Sequence, residues 1–332
     1  MKFAIDTLGG DNAPQAVFDG AALALKDQPD LNLVMVGKKQ EIEKFIADNK
    51  IDPARIEIIE ADEAVLNTDH PATFLKEKPN CSLAKGFDAL RTREDIDAYI
   101  SAGPTGAILT GAIFRIGRIQ GISRPALMAT IPTRTGKLCR IMDVGANMDC
   151  KSEYLVQFAH MVSTFLSVIG VENPRIGLLN VGAEEGKGNE QAKEVYNLLK
   201  VEPGLNFVGN VEADHVVNGE ADAIIADGFS GNVFIKSLEG GCYYVSDLFK
   251  KAVSGNFIAK IGALFQLKGL KAAKVPFDYA KKACAPLLGV KRVVVKVHGK
   301  GDSVAFRETM RDTRKLVEGK LIEKIQESVA QK

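Results

Sequence analysis

Lys2-Phe3-Ala4-Ile5-Asp6-Thr7-Leu8-Gly9-Gly10-Asp11 is a short apolar run that breaks at once into acids, a threonine and two glycines. This reads as a strand over 2–5 with a loop at its carboxyl end, and helical periodicity follows over 14–27. The same unit recurs along the chain. Further strands are predicted at 32–36, 56–59, 97–101, 126–131, 140–144, 175–181, 222–227 and 292–297. Further helices are predicted at 39–49, 82–93, 105–119, 151–169, 189–200, 230–252 and 303–329. Strand–helix alternation of this kind predicts an α/β fold with a mainly parallel twisted sheet flanked by helices. There is no internal repeat and no Ser/Pro-rich linker, so residues 1–332 are expected to form a single catalytic unit.

Five more loops repeat the pattern of the first. Ile100 leads to Ser101-Ala102-Gly103-Pro104-Thr105-Gly106, and Met142 leads to Asp143-Val144-Gly145-Ala146-Asn147. Leu179 leads to Asn180-Val181-Gly182 and on to Lys187-Gly188-Asn189. Ile225 leads to Ala226-Asp227-Gly228-Phe229-Ser230-Gly231-Asn232, and Val297 to His298-Gly299-Lys300-Gly301-Asp302. One such loop is ordinary turn chemistry. Six at predicted strand ends, several running into helix starts, suit small anionic ligands.

Familiar phosphate and dinucleotide grips are absent. Gly182-Ala183-Glu184-Glu185-Gly186-Lys187-Gly188 has three residues between its first two glycines and lacks the Lys-Ser/Thr ending of a Walker loop. No G-x-G-x-x-G occurs. Lys187, between two glycines before a predicted helix, is the best single candidate for an anion contact, with an exposed loop lysine as its bland reading. His298 reads either as a base or as a group closing the end of its strand. No G-x-S-x-G elbow is present. The chemistry on offer is therefore positioning and charge stabilisation rather than covalent catalysis.

Composition excludes several classes. The 332 residues are 46% hydrophobic and 26% charged, with a formal net charge of +1, so no global attraction to nucleic acid is expected. The cysteines at 81, 139, 150, 242 and 284 form no C-x-x-C, and the four histidines form no H-E-x-x-H. Neither a metal nor a disulfide framework is expected. The start of the chain lacks the basic, long apolar pattern of a leader, so a cytoplasmic location is expected. The longest nearly apolar stretch, 161–171, is far short of a span.

Residues 250–282 stand apart. They carry eight lysines and a single acid, Asp278, which is +7 in a chain whose remainder is −6. Within them Phe257, Ile258, Ile261, Leu264 and Phe265 fall at helical spacing, and Lys268-Gly269 reads as a turn. A basic amphipathic helical hairpin of this type suits an anionic membrane surface or an acidic protein, and its bland reading is a solvated face packed on the body.

Taken together, the motifs resemble the PlsX-type phosphate acyltransferases, the acyl-acyl carrier protein:phosphate acyltransferases of bacterial phospholipid synthesis. The resemblance runs from Met1 to about residue 320. Its motifs are Asp6 to Asp11, Ser101 to Ala107, Arg124-Pro125-Ala126, Asp143 to Asn147, Gly177 to Gly182 with Lys187-Gly188-Asn189, Gly209 to Glu212, Asp227 to Asn232 with Glu239-Gly240, Ala285 to Gly289, and His298-Gly299 with Asp302.

The resemblance implies a fold similar to the isocitrate and isopropylmalate dehydrogenases and the phosphotransacetylases. It implies a fatty acyl group passing from acyl carrier protein to inorganic phosphate, in a cytoplasmic homodimer that touches the membrane peripherally through the hairpin. No cofactor and no metal is implied. On this reading Lys187, His298 and Asn189 are the catalytic candidates. Asp6, Gly9, Gly10, Asp11, Ser101, Thr105, Gly106, Asn147, Asn180, Gly182, Asp227, Gly228, Asn232 and Asp302 are the substrate-binding candidates, with phosphate held between the 101–106 and 182–188 loops. Two other classes stay open: a phosphotransacetylase-like transferase using coenzyme A thioesters, and a non-catalytic membrane scaffold. The chain departs from the family at Pro104, where the family commonly has a polar residue, at Lys282-Ala283-Cys284 in place of Tyr-Gly-Gly, and at Lys300-Gly301 in place of Ser-Ser.

Overall fold

Strands β1 (Lys2–Asp6), β2 (Asn32–Gly37) and β4 (Ala98–Ser101) are almost wholly buried, which is why they read as continuous apolar runs rather than alternating ones. They belong to the first half of the sheet in a computed structural model that describes residues 1–255, 269 and 285–330. The other strands are β3 (Ile56–Glu60), β5 (Ala126–Pro132), β6 (Leu138–Met142), β7 (Arg175–Asn180), β8 (Asn206–Glu212), β9 (Ala223–Ile225), β10 (Ala285–Leu288) and β11 (Val293–Lys296). One sheet contains them all, in the order β3-β2-β1-β4-β11-β10-β5-β6-β9-β7-β8.

The helices are α1 (Gln15–Asp27), α2 (Lys39–Asp48), α3 (Phe74–Glu77), α4 (Ser82–Thr92), α5 (Thr105–Gly111), α6 (Ser152–Val168), α7 (Glu190–Val201), α8 (Gly228–Ser254), α9 (Ser303–Glu318) and α10 (Leu321–Ala330). The main core holds Phe3, Ile5, Phe158, Phe165 and Phe306. A second cluster on the other face of the first half-sheet holds Tyr99, Phe87 and Phe74. In α9 the buried positions Ala305, Phe306, Thr309, Met310, Thr313 and Leu316 trace one helical stripe.

The sheet is mainly parallel, as expected, but its two halves run in opposite directions. β3, β2, β1, β4 and β11 are mutually parallel, and so are β6, β9, β7 and β8. Between them the pairs β11–β10, β10–β5 and β5–β6 are antiparallel. These three reversals invert the chain direction. The carboxyl ends of β1, β4 and β11 therefore lie at one edge of the sheet, and those of β6, β7 and β9 at the other.

Every predicted strand exists, and two were not predicted. β10 is four residues long with Pro286 in it. In β8, Gly209 takes a left-handed φ of 95° opposite a register shift in β7, which spoils the alternation of Asn206 to Glu212. The single helix predicted over 303–329 is two helices, α9 and α10. Gly319 passes so close to α6 that a Cβ there would lie 2.5 Å from Val168, and Lys320 turns left-handed at φ 52°. The predicted helix 105–119 stops at Gly117, also left-handed. The lysine-rich hairpin, with Phe257, Ile258, Ile261, Leu264 and Phe265, lies outside the described residues.

Candidate active site

The first edge gathers the loops after β1, β4 and β11. The parallel register that pairs Ile5 with Ile100 puts Asp6 beside Ser101, and Ser101 pairs with Lys296. Asp6, Ser101 and Lys296 therefore form a row across three adjacent strands, on one face of the sheet. The Ser101 hydroxyl donates to Asp6 Oδ2 at 2.7 Å and accepts from the Gly103 N–H at 3.0 Å. The Leu8 N–H donates to Asp6 Oδ1 at 3.1 Å. Burial pushes the Asp6 carboxyl above its usual range, against the pull of these hydrogen bonds. Asp6 thus shapes two loops from a buried position.

Gly10 shows why glycine stands in this loop. Its φ is +101°, and a Cβ would lie 2.9 Å from Ala102 and 3.1 Å from the Gly299 carbonyl. The backbone of the β1 loop presses against the β4 and β11 loops here. The Asp11 N–H donates to the Gly299 carbonyl at 2.8 Å, and Asn12 Nδ2 reaches the Lys300 and Gly301 carbonyls at 3.2 Å each. Gly9, Gly10, Asp11, Ser101 and His298 are thereby brought together, with Thr105 and Gly106 opening α5 nearby. His298 is exposed, and its Nδ1 accepts from the Lys300 N–H at 3.2 Å. Pro104 is the residue before α5 and makes no side-chain cap.

Lys296 is the residue at this edge that sequence reading passed over. Its ammonium donates to the Val297 carbonyl at 3.0 Å, and among the described residues it forms no salt bridge. Burial lowers its pKa to about 8, while the Asp11 carboxylate pulls the other way. The signal was a lysine inside the otherwise apolar Val293-Val294-Val295-Lys296-Val297, just ahead of His298-Gly299.

The second edge gathers the loops after β6, β7 and β9. Asp143 is fully buried and accepts from the N–H groups of Leu127, Ala146 and Asn147, and from Asn147 Nδ2. Burial pushes its carboxyl up, opposed by those bonds. Asn147 Nδ2 also donates to the Pro125 carbonyl at 2.8 Å. A Cβ on Gly231 would meet the Asp143 carbonyl at 1.9 Å, so only glycine lets α8 start this close. A Cβ on Gly228 would lie 2.4 Å from the Asn147 carbonyl, and Asn232 lies beside Gly145.

Several candidate side chains here are occupied in holding the fold. Asn189 accepts from the Ala192 N–H and caps α7, and Asp227 accepts from the N–H and hydroxyl of Ser230 and caps α8. At the first edge Asp302 caps α9 in the same way through Ala305. Asn180 Nδ2 donates to the Lys187 carbonyl, and its Oδ1 accepts from Val181 N–H. Lys187 itself is exposed, its stem packed over Gly182.

The structure does not bring the 101–106 loop against the 182–188 loop within one chain, because those loops follow strands of opposite direction. This corrects the expectation of one phosphate cradle built from both. Beside the second edge, a cavity of about 460 Å³ is lined by Ile113, Arg118, Ser123, Arg124, Pro125 and Tyr154, with Pro125 held by Asn147.

Comparison with known proteins agrees with this architecture. Residues 1–324 match the family described as "Fatty acid synthesis protein". The chain is 40% identical over 333 residues to a phosphate acyltransferase of Clostridium perfringens, covering 100% of this chain and 98% of that protein. It is 41% identical over 333 residues to a phosphate acyltransferase of Bacillus licheniformis, covering 100% and 99%. Among solved structures, a phosphotransacetylase from Streptococcus pyogenes superposes with a TM-score of 0.61 at 16% identity, covering 97% of this chain and 94% of that one, which shows a shared fold. The full-length match and the 40% identity together mean that this chain belongs to the fatty acid synthesis protein family, the family of the phosphate acyltransferases.

Proposed function

We propose that this protein transfers a fatty acyl group from acyl-acyl carrier protein to inorganic phosphate, giving acyl phosphate for phospholipid synthesis. Full-length identity to phosphate acyltransferases carries the reading. In the reaction a phosphate oxygen attacks the thioester carbonyl, and the carbonyl oxygen passes through an oxyanion. The carbon–sulfur bond then breaks, and the carrier thiolate takes up the proton that the attacking hydrogen phosphate gives up, leaving as the thiol. Phosphate is already an anion at neutral pH, so the protein's task is to place it, to stabilise the oxyanion and to keep water out. The β1, β4 and β11 loops supply the backbone for that placement. Lys187, His298 and Asn189 are the catalytic candidates this proposal carries forward, His298 at the first edge and Lys187 and Asn189 at the second.

The decisive assay follows acyl phosphate formation from carrier-protein thioester and from coenzyme A thioester, each with inorganic phosphate. Preference for the carrier substrate supports the reading. Preference for coenzyme A favours a phosphotransacetylase-like enzyme, the alternative to which the shared fold points. No transfer from either would leave the scaffold reading.

Residues 1–332 act as one catalytic unit on this proposal, located in the cytoplasm and in peripheral contact with membrane. A homodimer is part of it. Its support is α8, which packs Phe234, Ile235 and Leu238 inward yet exposes Phe229, Val233, Tyr244 and Leu248 at near-helical spacing. Sedimentation of the full chain should give twice the monomer mass, and Tyr244→Glu should shift it to the monomer.

A further inference from the structure

Lys296 presents a problem in physical chemistry. An ammonium held away from water costs stability unless an anion offsets it. Lys296 is half-buried at the end of β11, beside Ser101 and one strand from Asp6. Its hydrogen-bond partner is the neutral Val297 carbonyl. Asp11 acts on it through space, without a salt bridge. Asp6, the nearest buried acid in the row, is committed to Ser101 and the Leu8 amide. Two of the three ammonium donors thus lack a partner among the described residues. Lys296 lies on β11 two residues before His298, paired with Ser101, and the loops that follow these strands meet the β1 loop at Gly10. Next to Val293, Val294 and Val295 an apolar side chain would suit this strand better, and the lysine instead offers a charge that an arriving anion can match.

We propose that Lys296 binds the phosphate substrate, its ammonium supplying the charge that Val297 and Asp11 leave unmatched and fixing the anion at the β1/β4/β11 edge. The inference deepens the function proposed above and rests on it for the identity of the anion. It moves the phosphate contact from an exposed lysine, Lys187, to a half-buried one. There a single charge acts more strongly, because less water competes. Lys296 touches the nucleophile on this account and is a catalytic residue in that sense.

The test uses the full chain and inorganic phosphate as the probe. In the parent, inorganic phosphate should raise the melting temperature more than chloride at equal ionic strength. Lys296→Met, of similar length and without charge, should abolish that rise while melting at or above the parent temperature when phosphate is absent. Its KM for phosphate should increase roughly 10- to 100-fold, the loss expected for a charged hydrogen bond. KM for the acyl donor should stay close to the parent value, and Lys296→Arg should recover part of the phosphate affinity. A lysine that merely braces the Val297 turn would lower the melting temperature when replaced and leave KM for phosphate unchanged, and that result overturns the proposal.

A second measurement needs no variant. Carbamylation of Lys296 by cyanate in the unaltered protein, mapped by peptide mass spectrometry, should slow when inorganic phosphate is added. An unchanged rate also overturns the assignment. If phosphate protects Lys296 but no acyl transfer to phosphate occurs, the site stands and the proposed reaction fails. If transfer occurs and Lys296→Met keeps its phosphate KM, the reaction stands and the site fails.

Discussion

Ser101 Oγ lies 2.7 Å from Asp6 Oδ2, a buried hydrogen bond that ties the carboxyl end of β4 to that of β1. It aligns the two loops whose backbones meet at Gly10 and Ala102. Ser101→Ala leaves a buried carboxylate oxygen without this donor. The cost should be roughly 1–3 kcal/mol in urea unfolding. Asp6→Asn should cost less, because it keeps the Leu8 contact and removes a charge that burial disfavours. Equal stability of Ser101→Ala and the parent would mean that the bond does not hold the loops.

Lys187 is exposed at the second edge, so its replacement should leave the fold intact. Lys187→Ala should reduce kcat/KM by roughly 10²-fold, the scale of one preorganised charge contact. The split between KM for phosphate and KM for the acyl donor then tells which substrate it meets. Near-normal kinetics would remove Lys187 from the site.

Burial lowers the Lys296 pKa from its ordinary 10.5 to about 8 in the folded protein. The folded state therefore binds fewer protons than the unfolded state between those values, and stability gains with rising pH across that window. Below about pH 8 the half-buried amine is charged, and its lost hydration costs the folded protein stability. The melting temperature of the parent relative to Lys296→Met should accordingly rise from pH 7 to pH 9.5. KM for phosphate should rise over the same range in the parent and not in Lys296→Arg. Asp11 faces the amine from the β1 loop, and His298 and Lys300 follow it on its own loop. Asp11→Asn should therefore shift both transitions to lower pH.

The fold was largely legible because the parallel strands are buried on both faces and separated by long helices, so period and length agree. The half-sheet reversal was not legible. It depends on β10, a four-residue strand containing a proline, pairing with both β11 and β5. For the same reason the six loops read as one set in sequence and divide into two in space. Asn189, Asp227 and Asp302 also cap helix starts, a backbone role that the loop pattern alone does not reveal. Lys296 was underread because a charge inside an apolar run looks like a strand end, and only the register places it beside Ser101.

Strand geometry also divides the basic residues near Ala285 to Asp302. Lys291 and Lys300 are close in sequence but lie at opposite ends of β11, with Lys291 donating its N–H to the Gly117 carbonyl. The Arg292 guanidinium is taken up by the Arg93 and Ile96 carbonyls, so it holds the start of β4 and is not free to dock a partner. Lys281 and Lys282 lie outside the described residues. If an acidic carrier protein approaches the first edge, Lys300→Glu should raise KM for the carrier substrate and make it more sensitive to salt, while Lys291→Glu should change neither. Equal effects from both would place the docking surface elsewhere.

The lysine-rich segment sets the final prediction. α8 runs outward with Tyr243, Tyr244, Val245, Leu248 and Phe249 all exposed, and the sequence continues into the +7 stretch of 250–282 with its apolar residues at helical spacing. No described helix is long and apolar enough to cross a membrane. Each lysine near an anionic leaflet contributes about 1 kcal/mol, and burial of one phenylalanine or leucine about 1.5–3 kcal/mol. Several of each give reversible surface attachment and not insertion. The protein should therefore sediment with phosphatidylglycerol vesicles, less so at high salt, and not with neutral phosphatidylcholine vesicles. Leu264→Glu or Phe265→Glu should weaken vesicle binding by more than tenfold while activity on carrier-bound substrate in solution is kept. If those variants instead dissociate the dimer or unfold it, and the parent ignores anionic vesicles, the stripe is packing within the protein and the peripheral membrane contact is wrong.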